Sequence, residues 1–234
     1  MSQHETGRLA PDEVREMFDR ISPVYDGMNR AMTLGLDRRW RRMAAQAVVR
    51  PGNRVLDACC GTGDLALACE RSGGIVTGLD FSEDMLRRAS RKSATIDWRL
   101  GDALALPFPD GCFDAVTVGF GVRNLDDLGA GFHELHRVLR PGGRLACLEI
   151  TRPSGALKPL FRAWFDGVVP FAGRVLPGGR AYTYLPASVR LFPGPRELAV
   201  LLEEAGFGEV GWKVLGGGIV ALHTATSRPV GQAS

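Results

Sequence analysis

The amino-acid sequence predicts an α/β domain whose mostly parallel sheet has seven strands and carries helices on both faces. Three observations lead to this prediction. Short apolar runs alternate with helical stretches, a glycine turn follows the first of these runs, and three glycines join the last two. Of the 234 residues, 45% are hydrophobic and 24% are charged, which is ordinary for a globular chain and excludes a disordered one.

Charge and cysteine spacing exclude other classes of protein. The 29 basic and 26 acidic residues are too balanced for a dedicated nucleic-acid binder, so no nucleic-acid partner is expected. The five cysteines show no Cys-x-x-Cys or Cys/His spacing, and no metal site is expected. The longest stretch without Asp, Glu, Lys or Arg, Val214 to Ser227, is too short to span a bilayer. A cytoplasmic protein without an integral membrane segment is therefore expected.

Helices are predicted before the first strand. One begins with acids after Pro11 and ends at Ser22-Pro23, and a later helical stretch carries the basic segment Arg38–Arg42 and runs to about Val49. Pro51-Gly52 then ends the helical region. Residues 1–50 are thus predicted to form a helical cap of the same domain.

Apolar periodicity and turn residues predict the elements that follow. Strands are predicted at Arg54–Ala58, Ile75–Asp80, Ile96–Leu100, Phe113–Val118, Arg144–Ile150, Glu209–Leu215 and Ile219–Thr226. Helices are predicted at Asp64–Glu70, Glu83–Lys92, Leu128–Leu139 and Arg196–Ala205. The last two strands are expected to form a hairpin at the edge of the sheet.

One insertion interrupts this alternation within the main domain, residues 51–234. The stretch at about 151–195 is rich in proline, glycine and aromatic residues, and no regular element is predicted before Arg196. Between Gly155 and Pro193 it holds five basic residues and the single acid Asp166. We expect this stretch to form a lid-like insertion.

The glycine turn after the first strand predicts a ligand site. A strand that runs through glycines into a helix start leaves backbone N–H groups facing a ligand. Gly61 and Gly63 allow that ligand to approach the main chain closely, and Thr62 lies between them. The pattern Gly61-x-Gly63-x-x-Ala66 also fits a dinucleotide fingerprint, so an NAD-dependent oxidoreductase is an alternative at this point.

Charge favours a different cofactor. Asp57 ends the strand, and Asp64 begins the helix where a pyrophosphate would otherwise lie. Carboxylates there repel a diphosphate and attract a cation. S-adenosylmethionine has no phosphate and carries an ammonium and a sulfonium group, so it fits better than NAD. Alternatively, Asp64 is simply a helix N-cap.

Acids at the next two strand ends extend this prediction. Asp80 follows Gly61 by 19 residues, where a ribose-binding carboxylate is expected. Phe81 is expected to wall the adenine. Asp102 is expected to accept from the adenine amino group, and Ala103 N–H to donate to the ring.

Longer motifs resemble the menaquinone and ubiquinone biosynthesis C-methyltransferases. The likeness runs from about Met17 to Thr226, and three segments are specific to quinone methylation: Tyr25-Asp26-x-Met28-Asn29, Phe120-Gly121-Val122-Arg123-Asn124 and Tyr184-Leu185-x-x-Ser188. The resemblance implies a class I methyltransferase (Rossmann-like) fold and S-adenosylmethionine as methyl donor, with S-adenosylhomocysteine as product. It further implies that the methyl acceptor is a prenylated quinol, with demethylmenaquinol as the first candidate.

The resemblance also implies cofactor contacts at Thr62, Asp80, Asp102 and Ala103. The chain departs from many relatives in its Cys59-Cys60 pair and in Asp102, where others often have asparagine. Gly119 stands where relatives commonly have a serine, so a cofactor contact through a side-chain hydroxyl is absent at this position. We predict a cofactor site formed by Gly61, Thr62, Gly63, Asp80, Asp102, Ala103 and Gly119.

Carbon methylation needs an ionised ring hydroxyl beside the reacting carbon. Phenols titrate near a pKa of ~10, so a positioned base or cation helps. Arg123 and Asn124 are predicted to stabilise the phenolate or to orient a water, and Asp26 completes the predicted catalytic set. Tyr25 and His223 are further candidates. The alternatives are a loop cap or salt bridge at Arg123 and Asn124, and a core position for His223.

Basic and aromatic residues predict transient contact with a membrane surface. The insertion interleaves apolar side chains with arginines, which suits a prenylated substrate and anionic lipid. An ordinary lid packed on the core is the alternative, as is a solvated helix face for Arg38–Arg42. The expected location is cytoplasmic, with peripheral association at the inner face of the membrane. Since the cofactor half does not select the acceptor, a methyltransferase for another small molecule is also an alternative.

Overall fold

The computed structural model describes residues 10–151 and 179–228. Their strands form one sheet of seven in the order β3-β2-β1-β4-β5-β7-β6. The strands are β1 (Arg54–Ala58), β2 (Ile75–Asp80), β3 (Asp97–Leu100), β4 (Phe113–Gly119), β5 (Leu139–Ile150), β6 (Phe207–Leu215) and β7 (Val220–Ser227). Most of the predicted insertion, residues 152–178, lies outside the described residues.

The sheet is parallel except at β7, which pairs antiparallel with both β5 and β6. β1 pairs with β2 on one side and with β4 on the other. The order therefore reverses beside β1, and the carboxyl ends of β1, β2 and β4 meet at one edge, where ligands bind in such sheets. The predicted fold class is confirmed.

Helices cover both faces of this sheet. In the described residues they are α1 (Pro11–Ile21), α2 (Tyr25–Thr33), α3 (Leu36–Val48), α4 (Asp64–Arg71), α5 (Glu83–Ser90), α6 (Leu128–Val138), α7 (Gly179–Leu191) and α8 (Pro195–Glu204). Short 3₁₀ turns lie at Val122–Asn124 and Gly216–Gly218. No helix among the described residues is long and apolar enough to cross a membrane.

Two differences from the sequence prediction have local causes. β5 begins at Leu139, which pairs with Phe113 across a register shift, whereas the prediction continued the helix through Leu139 and started the strand at Arg144. The second is α7, inside a stretch where no regular element was predicted. Pro186 lies within α7, and proline in a helix interior hides the helical signal from the sequence.

Alternate residues of the strands supply two hydrophobic cores, one on each face. In β1, Leu56 packs in the cluster that contains Phe132 of α6 and Leu198 of α8. Val55, the residue before it, packs in the cluster that contains Trp40 of α3. The helical cap thus shares the core of the sheet through α3.

Candidate active site

A cavity of about 450 Å³ opens at the carboxyl ends of the central strands, beneath α1 and α2. This volume lies within the usual range for small-molecule sites. Its lining residues are Asp12, Val14, Arg15, Phe18, Tyr25, Arg41, Cys59, Cys60, Gly61, Thr62, Asp64, Leu79, Asp80, Phe81, Met85, Leu100, Gly101, Asp102, Ala103, Leu104, Gly119, Phe120, Gly121, Asn124, Leu125 and Asp126.

The glycine turn brings main chain to the wall of this cavity. Gly61 and Gly63 have φ angles of 54° and 84°, in the left-handed region that favours glycine. A Cβ at Gly63 would also lie 2.5 Å from the ring of Trp98. Gly63 is the N-cap of α4, so the turn ends at a helix start, as the sequence predicts.

Asp80 and the glycine turn position each other. Gly61 N–H donates to Oδ2 of Asp80 over 2.7 Å, and Ser82 N–H donates to Oδ1 over 3.0 Å. Burial raises the pKa of Asp80 to about 6, the N–H donors act in the opposite direction, and the nearby charge of Asp19 adds to the rise. Each carboxylate oxygen has a second lone pair with which to accept from a ligand hydroxyl.

The residues predicted for the adenine end line the same cavity. Phe81 meets Phe18 of α1 edge to face, with ring centroids 6.3 Å apart. Asp102 accepts from Leu104 N–H over 2.9 Å, which orients its carboxylate, and Ala103 is buried beside it. An aromatic wall, a carboxylate acceptor and the Ala103 main chain therefore meet at this end.

The cavity is acidic. Its described lining holds five aspartates and two arginines: Asp12, Asp64, Asp80, Asp102, Asp126, Arg15 and Arg41. An excess of carboxylates disfavours a diphosphate and favours a ligand that carries positive groups. The lining therefore fits S-adenosylmethionine better than NAD.

Asp57 lies beneath the turn and is not among the residues that line the cavity. It is fully buried, and the Thr117 hydroxyl donates to its Oδ1 over 2.7 Å. Burial raises its pKa to about 7, although the Thr117 hydrogen bond acts in the opposite direction. Asp57 therefore lies outside the cavity rather than in contact with its contents.

Asp26 ties α2 to the glycine turn. The Thr62 hydroxyl donates to Oδ1 of Asp26 over 2.5 Å, and Nζ of Lys92 lies 2.6 Å from Oδ2. The same Nζ lies 2.7 Å from Oδ1 of Asp64. Burial acts to raise the pKa of Asp26, but the hydrogen bonds from Lys92 and Thr62 outweigh it and hold the pKa below its ordinary value. Asp26 is therefore ionised at neutral pH and lies just outside the cavity lining.

The neighbouring catalytic candidates Asn124 and Arg123 lie in different environments. Asn124 lines the cavity, and its Oδ1 accepts from the Tyr184 hydroxyl over 3.1 Å. Arg123 does not line it. Its buried Nη1 lies 2.8 Å from Oε1 of Glu149 and also donates to the Phe120 carbonyl. Arg123 therefore forms a salt bridge, which the sequence analysis gave as an alternative to a catalytic role. Its partner, Glu149, was not predicted.

His223 lies in the core on β7, away from the cavity lining. Its Nε2 donates to the Pro195 carbonyl over 2.9 Å, and its ring stacks on Trp212. Burial lowers its pKa. A packing role accounts for these contacts, as the core alternative expected.

Arg41 is the main site residue that the sequence analysis missed. It had been grouped with a basic surface, but it is buried and lines the cavity, whereas Arg38, Arg39 and Arg42 are exposed. A signal for this was present. Arg41 lies four residues after Asp37 and follows Trp40, on the helix face that is buried along α3.

Gly119, predicted at the cofactor site, also lines the cavity. A Cβ there would lie 2.9 Å from Leu65 and 3.6 Å from Nη1 of Arg41. The absent side chain thus leaves room beside the Arg41 guanidinium. Within residues 10–151 and 179–228, no group of three His, Cys, Asp or Glu side chains is arranged to hold a metal.

Comparison with known proteins agrees with this geometry. The model of the ubiE/COQ5 methyltransferase family matches residues 6–227. The demethylmenaquinone methyltransferase of Roseiflexus castenholzii is 44% identical over 225 residues, which cover 92% of this chain and 93% of the relative.

Solved structures share the fold at lower identity. A [4+2]-cyclase superposes with a TM-score of 0.70 at 19% identity, covering 94% of this chain and 97% of the cyclase. A methyltransferase of Thermotoga maritima that depends on S-adenosylmethionine, described as a possible histamine N-methyltransferase, gives 0.68 at 20% identity and covers 91% and 99%. These similarities establish the fold alone, because proteins that share this fold catalyse different reactions.

Proposed function

The chain belongs to the ubiE/COQ5 methyltransferase family, and from this premise we propose that it methylates a ring carbon of a prenylated quinol, converting demethylmenaquinol to menaquinol. The methyl donor is S-adenosylmethionine. The observation that carries the proposal is the acidic cavity where the glycine turn, Asp80 and Asp102 meet Asn124. Relatives named demethylmenaquinone methyltransferase support the choice of acceptor.

The cofactor would be held along the carboxyl ends of the strands. Asp80 accepts from the ribose hydroxyls, Asp102 and Ala103 bind the adenine, and Phe81 covers its ring. The main chain at Gly61–Gly63 and Gly119 lies against the remainder. When bound, S-adenosylmethionine supplies an electrophilic methyl group on a positively charged sulfur.

The acceptor end is assigned to Asn124, with Tyr25 on the facing helix α2. In the transfer, the ring carbon forms a bond to the methyl carbon while the sulfur–carbon bond breaks, and the quinol loses a proton. The Asn124 amide contacts the quinol hydroxyl, and Tyr184 orients that amide. Arg123 supports the same turn and contributes positive charge toward the phenolate.

Asp26 is the proposed proton acceptor. It is ionised, and its hydrogen bond from Thr62 connects it to a residue that lines the cavity. The helices above the cavity exclude water, and rate enhancement comes largely from holding carbon and methyl in line.

The prenyl tail of the acceptor resides in a bilayer, so the enzyme would work from the membrane surface. Exposed Arg38, Arg39 and Arg42 supply positive charge for anionic lipid. We propose a cytoplasmic protein that binds peripherally to the inner face of the membrane.

Quinone analysis in a deletion strain tests the acceptor. A strain lacking this chain should accumulate demethylmenaquinone, and the wild-type gene should restore menaquinone, as measured by mass spectrometry. An unchanged quinone profile would assign the chain to another small molecule. Binding of NAD(H) without binding of S-adenosylmethionine would instead favour the oxidoreductase alternative.

A further inference from the structure

Arg41 presents a buried positive charge to the cavity. Its side chain is 7% exposed, and it reaches the cavity from α3, on the side where β1 and β4 end. The guanidinium lies over the Phe120 ring, 5.0 Å from the centroid. This cation–π contact holds the guanidinium at the end of β4, beside the cavity.

The carboxylates of Asp37 and Asp57 lie near the Arg41 charge but leave its Nε without a hydrogen bond within the described chain. Nε of Arg41 is buried and has no hydrogen-bond partner among the described residues. The nearest carboxylate oxygen is Oδ2 of Asp37, at 3.8 Å, which is beyond hydrogen-bond distance. That oxygen is likewise buried without a partner in the described part of the chain. These two buried atoms lie out of reach of the cavity, so a bound group would meet the Nη end of the guanidinium, where Nη1 lies beside the space at Gly119.

The group that Arg41 fits is an anion. The other arginine of the described cavity lining, Arg15, is half exposed and pairs with Asp12 on its own helix. Among the described lining residues, Arg41 is thus the buried cation, in a cavity where five aspartates face two arginines. A guanidinium matches a carboxylate with two parallel hydrogen bonds, and a carboxylate is the only anionic group of S-adenosylmethionine.

We propose that Arg41 binds the α-carboxylate of the methionine part of S-adenosylmethionine, in room that Gly119 leaves open. The proposal rests on the proposed function. Asp80 and Asp102 take the ribose and adenine, so the carboxylate extends toward the opposite end of the cavity. A side chain at position 119 would enter the space next to Nη1 of Arg41.

Calorimetry with a pair of ligands tests this without any turnover. S-adenosylmethionine and its decarboxylated analogue both carry the sulfonium and the ammonium, and they differ only in the carboxylate. Arg41→Gln should weaken binding of S-adenosylmethionine about 10- to 100-fold, the scale of hydrogen bonds between charged groups. It should change binding of the decarboxylated analogue less than about threefold, because the analogue lacks the Arg41 partner.

Two variants make the test specific, and circular dichroism confirms that each is folded. Arg42→Gln removes the same charge from the exposed neighbour and should alter neither affinity in vesicle-free solution. Arg41→Lys keeps the charge but cannot donate two parallel hydrogen bonds to a carboxylate, so it should weaken S-adenosylmethionine binding by an intermediate factor. If Arg41→Gln does not fold, Arg41→Lys carries the comparison of the two ligands.

The outcomes separate this proposal from the proposed function. Equal weakening of both ligands by the Arg41 variants, or no weakening of either, would overturn the carboxylate assignment while the cofactor still binds the wild-type protein. If the wild-type protein bound neither ligand, the proposed function itself would be wrong.

Discussion

Nη1 of Arg123 lies 2.8 Å from Oε1 of Glu149, and both side chains are almost completely buried. The ion pair joins the turn after β4 to the end of β5, next to Asn124, which lines the cavity. Removing the Arg123 side chain would leave the Glu149 carboxylate buried without its counter-ion, with only the backbone N–H groups of residues 123 and 150 as donors among the described residues. The structural and the catalytic contributions of Arg123 therefore have to be measured separately.

Arg123→Ala should lower both stability and turnover. Loss of one partner of a buried ion pair costs roughly 3–5 kcal/mol of unfolding free energy. Loss of positive charge near the phenolate should lower kcat about 10²-fold. Chemical denaturation and steady-state kinetics measure the two effects, and affinity for S-adenosylmethionine should barely change.

The double variant Arg123→Ala/Glu149→Gln separates the two roles. It removes the unpaired carboxylate, so part of the lost stability should return. If Arg123 acts on the acceptor, kcat should stay about 10²-fold low. Wild-type turnover in this folded double variant would show that Arg123 only holds the turn.

Asp80→Ala should weaken binding of S-adenosylmethionine by roughly 1.5–3 kcal/mol, because hydrogen bonds from ligand hydroxyls to a carboxylate are lost. Asp80→Asn keeps one acceptor oxygen but sets its amide nitrogen against a backbone N–H donor, so it serves as the variant that does not titrate. Burial raises the pKa of Asp80 to about 6, and the ionised form is the better acceptor. Wild-type affinity should therefore decrease as pH falls through about 6, whereas the affinity of Asp80→Asn should not follow this change. Calorimetry across that range gives the answer, and wild-type affinity in a folded Asp80→Ala variant would remove Asp80 from the site.

Lys92→Met should raise the pKa of Asp26. Lys92 lowers this pKa by hydrogen bonding and by its charge, and without it burial and the nearby Asp64 favour the protonated form. If Asp26 accepts the proton, activity is lost when Asp26 is protonated, so the acidic limb of the kcat/KM profile should shift to higher pH. Arg30→Met is a control at an exposed position of α2, where only a distant charge is removed. An acidic limb that does not move in Lys92→Met would exclude Asp26 as the base.

Binding to anionic vesicles should be weak, reversible and sensitive to salt. Each basic residue near the lipid contributes about 1 kcal/mol, and salt that brings the Debye length below ~10 Å screens this attraction. Replacing Arg38, Arg39 and Arg42 with glutamine should reduce recovery in vesicle flotation without unfolding the domain. Arg41 is left intact because it lines the cavity. Equal recovery with neutral and anionic lipid, or none with either, would leave these arginines as a solvated face.

The sheet and the cofactor end of the site could be predicted because their signals are local. β1 and β2 were predicted with their observed ends, since a buried strand followed by glycines or by Asp80 is readable from the sequence. The acids at successive strand ends meet at one edge because parallel strands bring them there. α7 could not be read because Pro186 interrupts it.

The acceptor end depended on long-range pairing that no local pattern reveals. Glu149 lies 26 residues after Arg123, and only the pairing of β4 with β5 brings them together. Lys92 likewise reaches Asp26 from a distant part of the chain. For Arg41, the run of arginines suggested a surface and concealed the helical spacing that places it inside.

The central claim, methyl transfer to a quinol ring carbon, is tested most directly with purified protein and S-adenosylmethionine labelled with isotopes in its methyl group. The acceptor is demethylmenaquinol in anionic vesicles, and mass spectrometry follows both products. The account predicts menaquinol with the intact labelled methyl group on its ring carbon, and S-adenosylhomocysteine in equal amount. Label on a quinol oxygen, or no transfer by folded protein that binds S-adenosylmethionine, would contradict it.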